Sequence, residues 1–405
     1  MRWLKAVIAL LLVLVTVSAC GVPRDEASMP VSLTPPQNPE PTPEPTPMPT
    51  PEPTPTPEEL AAEFAAEAAS EMELRELVCG MFMVYPEQLT GGTPVLSGNG
   101  ALLEGFAEYP VAGVILSYDH LESPEQTRGL TASLQAFGGG IFIAVDEEGG
   151  MVNRVMEDLG TRWVDSPFTY REGGTDAAYE NARIIGEDLA SLGFNLDFAP
   201  VADVWSNPEN TVIGERAYSD DFREAAELVS AAVRGFHDGG VLCTLKHFPG
   251  HGDTAQDSHV GMAVTYKSLE EMREQEFLPF AAGISAGADF VMLAHVTAPE
   301  ITELPGSLSY TVATELLRGE LGFEGVIITD AMEMGAIVNT WGAGESAVMA
   351  IEAGADIVLC PEDLESAVDA VLSALEEGRL TRERLEESAR RVLYLKAVEG
   401  ILPGM

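Results

Sequence analysis

Between Leu245 and Ala263 the chain reads LKHFPGHGDTAQDSHVGMA, and these nineteen residues hold three histidines, two aspartates and a lysine. Six histidines occur in all 405 residues, so half of them fall in this stretch. Residues of these types can ligate a metal ion, run acid/base chemistry, or do neither in a solvated loop. The metal set would be His247, His251, Asp253 and His259. The four-residue step from His247 to His251 would align two imidazoles on a helix, but Pro249 and Gly250 lie between them and break one. Acid/base work fits better. Asp257 stands two residues before His259, and a carboxylate beside an imidazole orients the ring and favours its protonated form. Neither a metal nor another cofactor is expected.

Such groups act only if rigid elements aim them. Eight short apolar runs recur along the chain: GMFMV (80–84), AGVILS (112–117), IFIAVD (141–146), FNLDFAPV (194–201), VLCTLK (241–246), DFVMLAH (289–295), GVIITD (325–330) and ADIVLC (355–360). Most are β-branched and unalternating, the pattern of parallel strands buried on both faces. Segments with helical spacing separate them, among them SPEQTRGLTASLQAF and LESAVDAVLSALEEG. Ahead of the first run, Glu58 to Ala69 reads as a helix. Ser70 with Glu73 three residues on gives a capping box for a second helix, ending near Val78. Eight strands alternating with helices predict an α/β fold, a (β/α)8 TIM barrel. The rival doubly wound sheet is disfavoured by the count and by the lack of Gly-x-Gly-x-x-Gly after the first strand. In either fold ligands bind beyond the C-terminal ends of the strands. The polar residues there are Asp146, Glu148, Asp203, Lys246, His247, His295 and Asp330. Converging on one rim, carboxylates, imidazoles and cations suit a multiply hydroxylated ligand.

The segment KHFPGHGDTAQDSH (246–259) closely resembles the signature of family 3 glycoside hydrolases, in the β-N-acetylglucosaminidase branch. VDEEGG (145–150), FAPVADV (198–204), VIGERAYSDD (212–221), LAHVTAPEIT (293–302) and LGFEGVIITDAM (321–332) are similar to family segments in the same order. The resemblance runs from about residue 72 to 400. It implies a retaining, double-displacement hydrolysis of terminal β-linked N-acetylglucosamine, from peptidoglycan or its fragments. Asp330 is then the nucleophile, and His259 with Asp257 replaces the carboxylic acid that most glycosidases use as proton donor. The implied sugar-binding residues are Asp146, Arg154, Arg216, Lys246 and His247. The chain departs from many relatives at Met151, where an arginine is common, and at Ala331, where a second aspartate is. Two other readings keep the fold: a β-glucosidase or xylosidase, and a phosphorylase that replaces water with phosphate. A reading of another class is an inactive sugar- or wall-binding lipoprotein.

With 22 Lys and Arg against 65 Asp and Glu the net charge is -43, which repels phosphate backbones and excludes nucleic acid as a partner. Cys20, Cys79, Cys243 and Cys360 are widely spaced and form no zinc or disulfide pattern. Arg2 and Lys5 precede an apolar run from Ala6 to Val17 that is too short to span a membrane and reads as a signal peptide. Val17-Ser18-Ala19-Cys20-Gly21 resembles a bacterial lipobox, which implies a signal peptide over 1–19 and lipidation of Cys20. Residues 21 to 58 hold 14 of the 27 prolines. Their 28-residue Pro/Thr/Glu tract is expected to be an extended stalk roughly 80–90 Å long. The expected organisation is therefore a linker over 20–58 and a catalytic domain over 59–405. The protein is expected to be a monomer, tethered by acyl chains to the extracellular face of the cell membrane, with a carbohydrate substrate.

Overall fold

The computed structural model describes residues 55–254 and 263–404; Cys20, Asp257 and His259 lie outside the described residues. Eight parallel strands follow one another in chain order: β1 (Phe82–Val84), β2 (Gly113–Ile115), β3 (Phe142–Val145), β4 (Leu196–Asp197), β5 (Leu242–Phe248), β6 (Phe290–Leu293), β7 (Val326–Thr329) and β8 (Val358–Leu359). Each pairs with its sequence neighbour, and β8 also pairs with β1. The last seam, between β7 and β8, closes through a single bridge, Ile328 to Ile357. This is the expected (β/α)8 barrel.

Alternation along each strand sorts the side chains. Phe142, Ala144, Phe290, Met292, Val326 and Ile328 fill the lumen. Ile143, Val145, Val291, Leu293 and Ile327 pack outward against helices. Both faces are apolar, so the runs show no polar alternation in sequence. Phe142 and Phe290 meet edge to face inside the barrel, with centroids 5.1 Å apart.

The helices around the strands include α1 (Pro57–Glu71), α2 (Leu74–Cys79), α3 (Gly174–Leu192), α4 (Phe222–Gly239) and α5 (Arg382–Val398). Helix α1 starts one residue earlier than expected, because Thr56 caps it and forms a capping box with Glu59. The expected box at Ser70 does not form. The Ser70 hydroxyl instead donates to the Glu67 carbonyl, and Glu73 is the N-cap of α2, its amide held by Glu76. Helices α3 and α4 approach closely where Gly235 faces Tyr179: a Cβ there would meet the Tyr179 carbonyl at 2.2 Å. One small sheet was not expected. Ala263–Val264 pairs parallel with Val296–Ala298, which pairs antiparallel with Thr302–Pro305.

Candidate active site

Beyond the C-terminal ends of the strands lies a cavity of about 310 Å³, lined by Tyr85, Asp146, Glu148, Arg154, Arg216, Lys246, His247, His251, Asp330, Ala331 and Glu333, among others. Its volume is at the lower end of the ~300–1,000 Å³ typical of small-molecule sites, which suits one sugar ring. A larger groove of about 640 Å³ lies between α1 and α5 at the other end of the barrel. Size does not mark the site. The strand-end cavity is singled out by the charged groups that several strands bring to it.

Lys246 is the centre of that convergence. It sits near the end of β5, is 2% exposed, and its Nζ is 2.7 Å from Asp146 Oδ1 and 2.6 Å from Glu148 Oε1. Arg216 reaches Glu148 with two bonds, Nε at 2.7 Å and Nη2 at 2.8 Å. Burial alone would raise the Glu148 carboxyl, but the Arg216 and Lys246 charges and their hydrogen bonds outweigh it and hold it well below the usual range. The result is a chain of alternating charges, Asp146–Lys246–Glu148–Arg216, with each member fixed by the next.

Asp330 follows β7 directly. Its amide donates to the Leu293 carbonyl of β6, and its Oδ1 accepts the Ala331 amide at 2.8 Å. Burial works against its charge. The positive potential of His295, His247 and Lys246 and the Ala331 amide overcome that, so the carboxyl lies below its ordinary value. An ionised carboxylate at a rigid strand end, facing a polar cavity, is equipped to attack an electrophilic carbon.

His247 is oriented from beneath. Its Nδ1 is 2.7 Å from Asp203 Oδ2, whose carboxylate also accepts the amides of His247 at 3.0 Å and His251 at 2.6 Å. Asp203 and His295 were expected on the rim but do not line the cavity. Both are buried behind it, and His295 spans Ser307 Oγ at 2.8 Å and the Ala331 carbonyl at 2.9 Å. They support lining residues. The loop after β3 is held similarly: Glu147 Oε2 accepts the amides of Arg154 and Val155. Burial lifts the Glu147 carboxyl to about 7, against those amide bonds. Arg154 crosses to Tyr118, donating to its hydroxyl at 2.8 Å with the guanidinium 4.4 Å from the ring centre.

The structure thus gathers Asp146, Arg154, Arg216, Lys246, His247 and Asp330 around one cavity. Asp257 and His259 belong to a stretch outside the described residues. Tyr85, His251, Glu333 and Met334 also line the cavity and were not among the expected site residues. Tyr85 had a signal, since it immediately follows an apolar run. Met151 is 63% exposed and does not line the cavity, whereas Ala331 does.

Residues 93–395 match the family described as glycosyl hydrolase family 3 N terminal domain. The chain belongs to glycosyl hydrolase family 3. Within that family it is 34% identical over 326 residues to "Beta-hexosaminidase A" of Pseudoalteromonas piscicida, covering 73% of this chain and 54% of that protein. It is 37% identical over 273 residues to "Beta-hexosaminidase" of Xylella fastidiosa strain M23, covering 64% of this chain and 80% of that protein. Among solved structures, a family 3 β-N-acetylglucosaminidase from Paenibacillus sp. superposes with a TM-score of 0.77 at 39% identity, over 82% of this chain and 64% of that one. The chain therefore spans about half the length of the first of these relatives.

Proposed function

We propose that the chain is a retaining β-N-acetylhexosaminidase that releases terminal β-linked N-acetylglucosamine. The observation that carries this reading is Asp330: an ionised carboxylate at a strand end, in a cavity shared with the Asp146–Lys246–Glu148–Arg216 chain. The hexosaminidase and β-N-acetylglucosaminidase names of its family 3 relatives support the choice of substrate.

In the reaction so proposed, Asp146, Lys246, His247, Arg216 and Arg154 hold the sugar through charge-assisted hydrogen bonds to its hydroxyls. Asp330 attacks the anomeric carbon while the bond to the leaving oxygen breaks, and His259 gives that oxygen its proton. Water then attacks the same carbon, His259 takes the water's proton, and Asp330 departs. Retention of configuration follows from the two inversions. Asp257 orients the imidazole and favours its protonated form before each attack by Asp330 on the substrate. The peptidoglycan source is a proposal of the same kind that rests on the family resemblance, the lipid anchor at Cys20 and the extracellular location rest on the lipobox and stalk patterns of the sequence, and the monomeric state is proposed with them.

The test separates the two roles by the leaving group. Asp330→Ala should abolish turnover of every β-N-acetylglucosaminide. His259→Ala should keep much of its first-step rate on nitrophenyl substrates, which leave unaided, and lose about 10²–10⁴-fold on natural ones. Azide should then restore its turnover. Equal losses on both substrate types, with no azide rescue, would exclude the histidine as acid/base. A panel of aryl N-acetylglucosaminide, glucoside and xyloside, with and without phosphate, tests the substrate and the choice of water.

A further inference from the structure

At the end of the barrel opposite the active-site cavity, three side chains with metal-ligating atoms meet. His237 comes from the last turn of α4, Cys243 is the second residue of β5, and Asp289 immediately precedes β6. His237 Nε2 is 2.8 Å from Asp289 Oδ2 and 3.7 Å from Cys243 Sγ. The three donor atoms all lie within 4.8 Å of one another. A tetrahedral ion with bonds of about 2.3 Å to sulfur and about 2.0–2.1 Å to nitrogen holds those two atoms roughly 3.5 Å apart. The observed 3.7 Å is close to that edge.

The backbone already fixes the set. Asp289 Oδ2 accepts the Cys243 amide at 3.0 Å, so carboxylate and thiol keep their relation whatever the histidine does. An entry path exists too. His237 and Asp289 line a cavity of about 300 Å³ together with Asn195 and Glu399, and no lysine or arginine lines it among the described residues. Two carboxylates therefore face one imidazole there, an excess of negative charge that a cation would offset.

We propose that His237, Cys243 and Asp289 form a binding site for a divalent cation of the zinc class, with a water from the cavity as fourth ligand. A thiolate, an imidazole and a carboxylate together suit borderline ions rather than calcium or magnesium. Without the ion, His237 Nε2 and Asp289 Oδ2 stay hydrogen-bonded to each other. Binding replaces the Nε2 proton of His237 and the thiol proton of Cys243, and both protons leave to solvent. The site lies far from the chemistry and joins the end of α4 to the first residues of two strands, so its effect is on stability.

Titrating the purified full chain with cobalt(II) provides the test. A sulfur-to-cobalt charge-transfer band should rise in the near ultraviolet, saturate at one ion per chain, and be displaced by zinc. Cobalt bound by the active-site imidazoles and carboxylates would give no such band. Cys243→Ser should lose the band, and zinc should raise Tm by at least about 3 °C in the native chain and not in this variant. His237→Gln, which keeps the thiol, should weaken cobalt binding at least about tenfold and covers the case in which Cys243→Ser folds poorly. Absence of the band in the native chain, or its survival in Cys243→Ser, would overturn the site.

Discussion

Lys246 is a buried charge whose desolvation its ion pairs with Asp146 and Glu148 offset. Removing one partner from such a group costs on the order of 3–5 kcal/mol, because the charge left behind has no compensation. Lys246→Met avoids most of that cost: Arg216 still neutralises Glu148, and the Asp146 side chain, 27% exposed, is solvated by water in place of the ammonium. We expect this substitution to lower kcat/KM on an N-acetylglucosaminide by about 10²-fold or more, while Tm moves little. A loss under about threefold would remove Lys246 from substrate binding. At this scale the sequence was informative in a specific way. Asp146, Lys246, His247 and Asp330 were legible because each ends an apolar run, where the strand's C-terminal end must be. The pairing of Glu148 with Arg216 was not, since 68 residues separate them and neither carries a mark of the other. Nor could position along the chain tell a lining residue from a supporting one. His295 and Asp203 follow strands β6 and β4 in the chain, but their side chains are enclosed by neighbours that only the folded barrel supplies.

Among the elements, β7 and β8 are joined by a single bridge, fewer paired residues than at any other seam of the barrel among the described residues. Asp356 reinforces it. Its carboxylate accepts the Ile327 amide at 2.9 Å, the Ser388 hydroxyl at 2.6 Å and Arg391 at 3.3 Å, and it also pairs with Arg318. Asp356→Ala should destabilise the chain by about 3–5 kcal/mol, read as a lower denaturant midpoint. A change below about 1 kcal/mol would show that the seam does not depend on it. Lys396 of α5 makes the opposite contribution. It is buried with its Nζ 5.0 Å from the Phe142 ring centre, and burial pushes the ammonium down to about 7 from 10.5. Between those values the unfolded chain binds more protons than the folded one, so stability rises with pH across that window. Lys396→Met should therefore stabilise the chain most at and below pH 7 and progressively less toward pH 10.5. A gain that is constant across the window would contradict the burial of a charge. The eight strands were legible because length and composition separate buried strands from amphipathic helices. The three-stranded annex was not, since its members run only two to four residues and share no pattern. The Ser70–Glu73 signal failed for a local reason: Ser70 is still inside α1, where its hydroxyl turns back to a carbonyl.

For the whole molecule, the anchor and stalk are proposals with their own measurement. Cys20→Ala should move the protein out of the membrane fraction or leave it unprocessed, and unchanged partitioning would remove the anchor. Deleting residues 30–54 should leave kcat/KM on small substrates unchanged. The deletion stops there because Thr56 and Pro57 start α1, and losing the cap would cost roughly 1 kcal/mol of its own.

Helix α1 also fixes a direction. Arg382, at the start of α5, bonds the Ser70 and Met72 carbonyls at the end of α1, while Glu58 and Glu59 at its start share a groove with Tyr394 and Leu395 and with the residues preceding β6 and β7. The two helices thus run antiparallel, and the polypeptide enters the barrel at the pole opposite the substrate cavity. Bow and stern of the barrel are thus assigned by its own topology: the mouth that takes the sugar is at one, and residue 55 is at the other.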